Sequence, residues 1–359
     1  MKIIKAFSRE PFLSTLLILL AILSILYPHE VVGCPFFVDW MTIVALTGLL
    51  IVTTGLKESC YFYSFSRSVL MHIRSERTLS IFLILLSASL STFLTNDITL
   101  FVVVPLTLSI QDMIDSDISK LIIFETISVN VGSSLTPIGN PQNLFLWHKW
   151  NISFATFVVE MLPLVVILLA ILLIFVWITT PNREVKFLKE TSYETRKSLF
   201  ILSAVMLIIY LISLEAKKAY FALPVVFLPY LIFHRDVLMK TDWLLLLMFV
   251  VIFIDFHILG DLVGALKPHS AGDVFLLSVI ISQLISNVPA SVFVSKFSHN
   301  LLAIAYGVNV GGNGSVVSSL ANIIALRMTK KREAWINFHK YSLPYLLTSC
   351  GIVYMIFFR

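Results

Sequence analysis

The segment "NVGSSLTPIGNPQN", residues 130–143, interrupts an apolar stretch with two glycines, two prolines, three asparagines and three hydroxyl residues. Proline removes a backbone donor and glycine weakens a helix, so the segment predicts a broken helix. In hydrocarbon, the released N–H and C=O groups would be costly unless protein, ion or water satisfied them. We therefore expect this segment to face a polar cavity, with N–H groups suited to an anion and oxygens suited to a small cation.

The surrounding chain is too apolar for a soluble protein, because 58% of its 359 residues are hydrophobic and only 13% are charged. Its unbroken apolar runs predict helices, since lipid offers no partner to exposed strand edges. We predict an all-α polytopic protein of the cell (cytoplasmic) membrane with about ten to eleven membrane elements. Runs close to the length of a membrane span lie at 12–27, 39–56, 154–179, 198–214, 219–233, 241–259 and 340–358.

Lysines and arginines predict the orientation. Most of the 26 basic residues fall on the cytoplasmic side if the N-terminus is cytoplasmic and the C-terminus is outside. This holds only if residues 79–111 and 272–298 each enter and leave on one side, so both are predicted to be re-entrant hairpins. Each is divided by a polar cluster, "FLTNDIT" (93–99) or "LISNVPAS" (284–291). The net charge of +5 is read as this topology signal, and no nucleic-acid partner is predicted.

Three segments recur in the same order, which indicates an internal duplication. They are "VDWMTIVALTGLLI" (38–51) with "TDWLLLLMFVVIFI" (241–254), "STFLTND" (91–97) with "SQLISNV" (282–288), and the opening segment with "NVGGNGSVVSSLAN" (309–322). The charge pattern gives the two copies opposite orientations. Such an inverted repeat with paired interrupted helices is the architecture of many secondary transporters, which bind substrate near the midplane.

The repeat divides the chain into three parts. Residues 1–180 hold the first copy, with the hairpin 79–111 and a broken helix at 118–150. Residues 181–217 form a cytoplasmic linker and an extra span. Residues 218–359 hold the second copy, with the hairpin 272–298 and a broken helix at 301–328.

The two hairpin tips and the two unwound segments together resemble the ion transporter superfamily. This superfamily includes divalent-anion/sodium symporters, citrate transporters, arsenite permeases and sodium/proton antiporters of the NhaD type, and the resemblance covers roughly residues 35–355. It implies a homodimer in which a transport domain moves against a rigid scaffold. In the divalent-anion branch, each tip and its unwound helix clasp a sodium ion. Carried over by position, the resemblance implies a first clasp of Thr95, Asn96 and Gly132 and a second of Ser286, Asn287 and Gly311.

The first tip departs from the divalent-anion pattern, because Asp97 stands where that branch has a neutral hydroxyl, and its Asn-Asp pair looks more like the arsenite permease branch. An ionisable group at membrane depth is costly and usually functional, so Asp97 is a candidate sodium ligand or proton carrier. Capping of the returning half-helix is the structural alternative for Asp97, and likewise for Asn96 and Asn287. Asp255 and His257, with Asp261, could form a proton path, and a solvated helix end is their structural alternative. Glu125 could face the cavity or support the scaffold.

The candidate site residues are the polar and helix-breaking positions of the tips and unwound segments. For substrate binding they are Thr95, Asn96, Asp97, Ser133, Ser134, Thr136, Pro137, Asn140, Ser286, Asn287, Gly312, Asn313 and Ser315. For possible sodium sites they are Asn96, Asp97, Gly132, Asn287 and Gly311.

These features predict a secondary active transporter that moves a small anion by alternating access, driven by sodium or protons. The anion could be a dicarboxylate, citrate, sulfate or an arsenite-like species. No cofactor is expected beyond the coupling ion, and the partners are the anion, sodium or protons, the bilayer and a second copy of the chain. A sodium/proton antiporter with Asp97 as its exchange site is the alternative. The sequence lacks both a nucleotide-binding P-loop and the HExxH and GxGD motifs, so we do not expect an enzyme.

Overall fold

The computed structural model describes residues 11–31, 33–61, 73, 75–111, 119–184, 195–263, 268–329 and 333–359. Many of the predicted cytoplasmic charges, at 1–10, 62–72, 185–194 and 330–332, lie outside these residues. The described chain is nearly all helical, apart from one isolated β-bridge between Ser75 and Glu184. Its helices are α1 (Pro11–Leu26), α2 (Pro28–Val31), α3 (Cys34–Phe37), α4 (Trp40–Glu58), α5 (Glu76–Phe93), α6 (Asn96–Gln111), α7 (Ser119–Ser133), α8 (Pro141–Trp150), α9 (Phe154–Thr179), α10 (Lys197–Glu215), α11 (Ala219–Phe233), α12 (Arg235–Lys240), α13 (Trp243–Val263), α14 (Ala271–Ile285), α15 (Asn287–Val294), α16 (Leu301–Gly311), α17 (Leu320–Thr329) and α18 (Glu333–Phe357).

Several described helices are suited to a membrane. By length and composition, α4, α5, α9 and α10 can each cross a bilayer, and shorter apolar helices accompany them. Their outer faces carry large apolar side chains, such as Ile178, which is 72% exposed, and Phe221, which is 80% exposed. Side chains of this kind favour hydrocarbon over water. The protein is therefore a multi-pass membrane protein.

Local sequence signals set where many of these helices begin. Asp39 caps α4 by accepting from the backbone N–H of Thr42. Asn140 caps α8 in the same way, with Pro141 as the first helical residue. At α14 the cap is reciprocal, because Ser270 and Asp273 each accept from the other's backbone N–H. Such caps satisfy N–H groups that the first helical turn leaves without partners.

All four predicted interruptions are present. Helix α5 ends at Phe93 and α6 begins at Asn96, and α14 ends at Ile285 before α15 begins at Asn287. The two longer breaks separate α7 from α8 and α16 from α17. The second of these contains a short 3₁₀ turn, Val316–Ser318.

The two helix pairs that pack most extensively are α5 with α7 and α14 with α16. They meet at a glycine in the same way. Gly132 lies so close to α5 that a Cβ there would stand 2.1 Å from the Ala88 carbonyl oxygen and 2.4 Å from Ser91 Oγ. Gly311 approaches α14 at Val279 and Ser282, the residues that the sequence repeat aligns with Ala88 and Ser91. The similarity of the two segments therefore extends to their contacts.

Candidate functional site

The second half of every interrupted element begins at one cavity, which we call the central cavity. Asn96, Pro141, Asn287 and Leu320 are the first residues of α6, α8, α15 and α17, and all four line it. Helix α8 packs against α15, and α17 packs against α6. The remaining lining residues are Asp97, Leu245, Met248, Phe249, Ile252, Ser286, Val288, Pro289 and Ser319.

The electrostatic consequence is a concentration of positive dipole ends. Each helix N-terminus behaves as roughly +0.5 of a charge, so four of them amount to about two positive charges. Free backbone N–H groups at such ends bind anions directly. The lining has no lysine or arginine among its described residues. The dipoles of the helix ends therefore favour negative charge in the central cavity.

The first tip adds oxygen atoms that have no partner. Thr95 Oγ1 and Asp97 Oδ1 are buried without a hydrogen bond, and Asp97 as a whole is 7% exposed. Asn96 Oδ1 accepts from the backbone N–H of Asp97, and the Asn96 N–H donates to the Gly139 carbonyl at 2.9 Å. The tip is thus fixed against the unwound segment, while a buried carboxyl oxygen is left for water or a cation.

The second tip differs in its polar groups. Ser286 has φ +76°, in the left-handed region that non-glycine residues rarely adopt. Asn287 follows it with its side chain over Gly312, where an added Cβ would lie 2.7 Å from Asn287 Nδ2. This tip has Val288 where the first has Asp97, so the two tips offer different charges to the cavity. Strain at a residue that lines a cavity is typical of functional sites.

The two unwound segments are joined by crossed asparagine bonds. Asn130 Nδ2 donates to Asn322 Oδ1 at 2.9 Å, and Asn309 Nδ2 donates to Asn143 Oδ1 at 2.7 Å. The repeat aligns Asn130 with Asn309 and Asn143 with Asn322. In both bonds, therefore, the first asparagine of one segment donates to the last asparagine of the other. All four side chains are buried. Buried amide networks of this kind hold segments in one relative position.

Asn309 has the most bonds in this network, and its removal is expected to destabilise the protein. It also accepts from Ser134 Oγ at 3.0 Å and from Asn140 Nδ2 at 3.1 Å. Asn309→Ala removes these bonds and takes away the donor of the buried Asn143 Oδ1, which should together cost about 3 kcal/mol or more. The measurement is the thermal unfolding midpoint of the purified protein in detergent.

Asn313→Ala is the matched control for Asn309→Ala. Asn313 is equally buried, but its Nδ2 donates to the Asn309 carbonyl and its Oδ1 has no partner. The loss of stability should therefore be clearly smaller. Equal losses in the two variants would contradict the role of the asparagine network.

The predicted site residues fall into two groups. Asn96, Asp97, Ser286 and Asn287 line the central cavity, and Thr95 lies beside them on the first tip. The others stand in the unwound segments, where most of their polar side chains bond to protein. Among these, Ser133 and Ser134 donate to the Asn130 carbonyl, Thr136 donates to the Thr92 carbonyl, Asn140 caps α8, Gly312 accepts from Asn130 and Asn322, Asn313 donates to the Asn309 carbonyl and Ser315 donates to Gln283, while Pro137 is buried in the turn and Gly132 and Gly311 pack on α5 and α14.

Sequence reasoning missed the apolar wall of the central cavity. Leu245, Met248, Phe249 and Ile252 all come from α13. Nothing distinguishes these residues within a long apolar helix, so only packing reveals their role. It also missed Asn130 and Asn309. The signal that could have identified them was their alignment in the repeat, because both are polar residues inside apolar helices.

Two further carboxyl groups are buried away from the cavity's described lining. Glu125 Oε1 accepts from Thr107 Oγ1 at 2.5 Å, while Oε2 has no partner. Asp255 is fully buried on α13 and neither of its oxygens is hydrogen-bonded. His257 stacks on Phe37 with 4.0 Å between the ring centroids. None of these three residues belongs to the described lining of the central cavity, so a functional role for them stays a prediction.

Comparison with known proteins places the chain among transporters. A family model described as "Citrate transporter" (CitMHS) matches residues 4–300. The chain is similar to the inner membrane protein YbiR of Escherichia coli, with 38% identity over 96% of this chain and 97% of the relative. It is also 38% identical to the uncharacterized transporter MJ0456 of Methanocaldococcus jannaschii, over 87% of this chain and 86% of the relative.

A more distant likeness covers a shorter segment. The putative transporter arsB of Dictyostelium discoideum is 24% identical over 39% of this chain and 24% of its own length. Taken with the near-complete matches, the apolar helices and the converging half-helices, these likenesses agree with the family that the tip and unwound-segment motifs resemble. The chain belongs to the citrate transporter family of the ion transporter superfamily and is a multi-pass membrane transporter.

Proposed function

We propose that the protein is a secondary active transporter that moves a small anion, such as a dicarboxylate, citrate, sulfate or arsenite, by alternating access. The observation that carries this proposal is the meeting of four half-helix N-termini at the central cavity. Their summed dipoles favour negative charge without any lysine or arginine side chain. The proposal includes the inverted orientation of the two repeats, with α5–α6 and α14–α15 as re-entrant hairpins.

The coupling ion is proposed to bind at the first tip. Thr95 Oγ1 and Asp97 Oδ1 are buried oxygens without partners, and hydroxyl, carboxylate and carbonyl oxygens are the ligands that hard cations such as sodium prefer. Within the described residues there is no cluster of three His, Cys, Asp or Glu side chains placed to hold a metal. A small monovalent cation or a proton on Asp97 fits this chemistry better than a transition metal.

A sodium/proton antiporter is the second candidate, and one observation favours it. Asp97 brings a carboxyl group to the wall of the central cavity, while the aligned position on the second tip is Val288. A single carboxyl could exchange a proton for sodium without any anion. Both candidates are consistent with the family and differ only in the transported species.

The test is flux in liposomes that contain the purified protein. Radiolabelled succinate, citrate, sulfate and arsenite are each supplied under a sodium gradient or a proton gradient, with protein-free liposomes as the control. We expect one of these anions to accumulate under one of the gradients. If none accumulates and sodium drives proton movement alone, the antiporter replaces the anion transporter.

A further inference from the structure

Two more cavities occupy equivalent places in the two repeats. The first, the Asp39 cavity, lies between α4 and α8 and includes Asp39, Met41, Phe145 and His148. The second, the Asp242 cavity, lies between α13 and α17 and includes Asp242, Leu244, Ile324 and Arg327. Extending the sequence repeat without a gap aligns these residues pair by pair in that order. Each cavity therefore has an acid at the start of one helix and a basic residue on the facing half-helix.

Beside the Asp39 cavity, the buried hydroxyl group of Thr42 connects the acid to the base. Thr42 Oγ1 donates to Asp39 Oδ2 at 2.8 Å and lies 2.9 Å from His148 Nδ1. Because the hydroxyl hydrogen is used for Asp39, the oxygen accepts from His148, and Nδ1 therefore has a proton. Asp39, Thr42 and His148 thus connect α4 to α8 in a continuous hydrogen-bonded chain.

The Asp242 cavity lacks the equivalent hydroxyl. Asp242 Oδ1 accepts from the Leu245 N–H at 3.1 Å, just as Asp39 accepts from the Thr42 N–H at 3.2 Å. The side chain at the aligned position is leucine, so it offers Arg327 no hydroxyl relay. The Asp242 cavity shares the lining residues Leu245, Met248 and Leu320 with the central cavity.

The described linings of the central cavity and the Asp39 cavity have no residue in common. The central cavity therefore has a wall in common with the cavity where the hydroxyl is missing. The two cavities also differ in the hydroxyl beside the acid, because threonine stands at 42 and leucine at 245.

We propose that Asp39, Thr42 and His148 form a gate that is closed in this conformation, and that Asp242 and Arg327 form the matching gate of the opposite conformation. The gates rest on the proposed alternating-access function and extend it to the residues that control access. Closing one acid–base pair while opening the other would expose the central cavity to one side at a time. The gate residues do not line the central cavity. They would therefore control access to the cavity without contacting the transported solute.

The test measures access to the central cavity directly. Cys34, Cys60 and Cys350 are unpaired and are replaced by serine, and Met248→Cys supplies a reporter on the shared wall. Right-side-out and inverted membrane vesicles are labelled with a membrane-impermeant maleimide, and a Lys217→Cys reporter, in the Asp39 cavity, identifies that face. Thr42→Val removes the hydroxyl and should raise the reporter's labelling rate from the Asp39 face about fivefold, the shift expected for one net hydrogen bond.

Two matched variants separate gating from folding. Thr47 is on the same helix, and its hydroxyl donates to the Ile43 carbonyl. In Thr47→Val the reporter's labelling rate should equal that of the parent. Thr42→Ser keeps the hydroxyl and should restore the parent rate. Equal rates in Thr42→Val and Thr47→Val would overturn the first gate.

A separate double variant tests the second gate. If Asp242 and Arg327 stabilise the opposite conformation, Asp242→Asn with Arg327→Gln should slow labelling from the Asp39 face. An unchanged or faster rate would overturn this half of the proposal. Labelling needs no transported solute, so a protein that moves no anion would refute the proposed function while the labelling rates still decide the gates.

Discussion

Gly132→Ala is expected to disrupt the contact between α5 and α7 and to abolish transport. The added methyl group would stand 2.1 Å from the Ala88 carbonyl oxygen and 2.5 Å from its Cα. These are backbone atoms, so relief requires that a helix moves. Overpacking typically costs about 1–3 kcal/mol, and rigid backbone neighbours place this site at the upper end or beyond it. The thermal midpoint in detergent and the flux in liposomes measure the two effects.

Two other glycines provide graded controls. Gly311→Ala meets Ser282, with 2.7 Å to Cβ, and should be less damaging because this overlap is smaller than the 2.1 Å contact at Gly132. Gly351→Ala, in α18, has no atom within 4 Å, and alanine is the better helix former. The expected order of stability is therefore Gly351→Ala, then Gly311→Ala, then Gly132→Ala. A Gly132→Ala protein as stable as Gly351→Ala would refute the close packing.

Asn96→Ala and Asn287→Ala should each lower the flux by roughly tenfold to a hundredfold, because a hydrogen bond to a charged group contributes about 1.5–3 kcal/mol. Both side chains lie at half-helix starts on the central cavity. The Asn96 side chain accepts a bond from its own neighbour Asp97, so its loss disturbs little else. The thermal midpoints should accordingly stay near that of the parent.

Asn182→Ala is the control for these two variants. Asn182 is exposed and accepts from Ser75, well outside the central cavity's lining. Its flux should match the parent. Normal flux in both Asn96→Ala and Asn287→Ala would remove the tips from the proposed site, even if the protein transports an anion.

Much of the helical architecture was predictable because the bilayer permits few solutions. A chain that is 58% hydrophobic must satisfy its backbone internally, and unbroken apolar runs do so as helices. Proline, glycine and asparagine then mark the interruptions, and the observed breaks at Leu94–Thr95 and Ser286 lie inside the predicted clusters. The family also followed from these same segments.

The inverted orientation and the location of the termini stay predictions. They rest on the side of the membrane that each basic residue occupies, and many of those residues lie outside the described chain. The homodimer and the coupling ion likewise come from the family resemblance. Each depends on a partner or an ion that a single chain does not contain.

The sequence by itself determined which positions break the helices and which pairs correspond, because proline and glycine act locally and a duplication survives as aligned letters. Only the tertiary structure decided which polar groups face the central cavity. Ser134, Thr136 and Asn140 were as polar as Asn96 and Asp97, yet they bond to protein in the unwound segments. The reason is that the hydrogen-bond partners of a buried side chain come from residues distant in sequence, such as Asn309 for Ser134. Composition does not specify which of these residues the fold brings into contact. The same holds for α13, whose apolar residues form one wall of the cavity solely through packing.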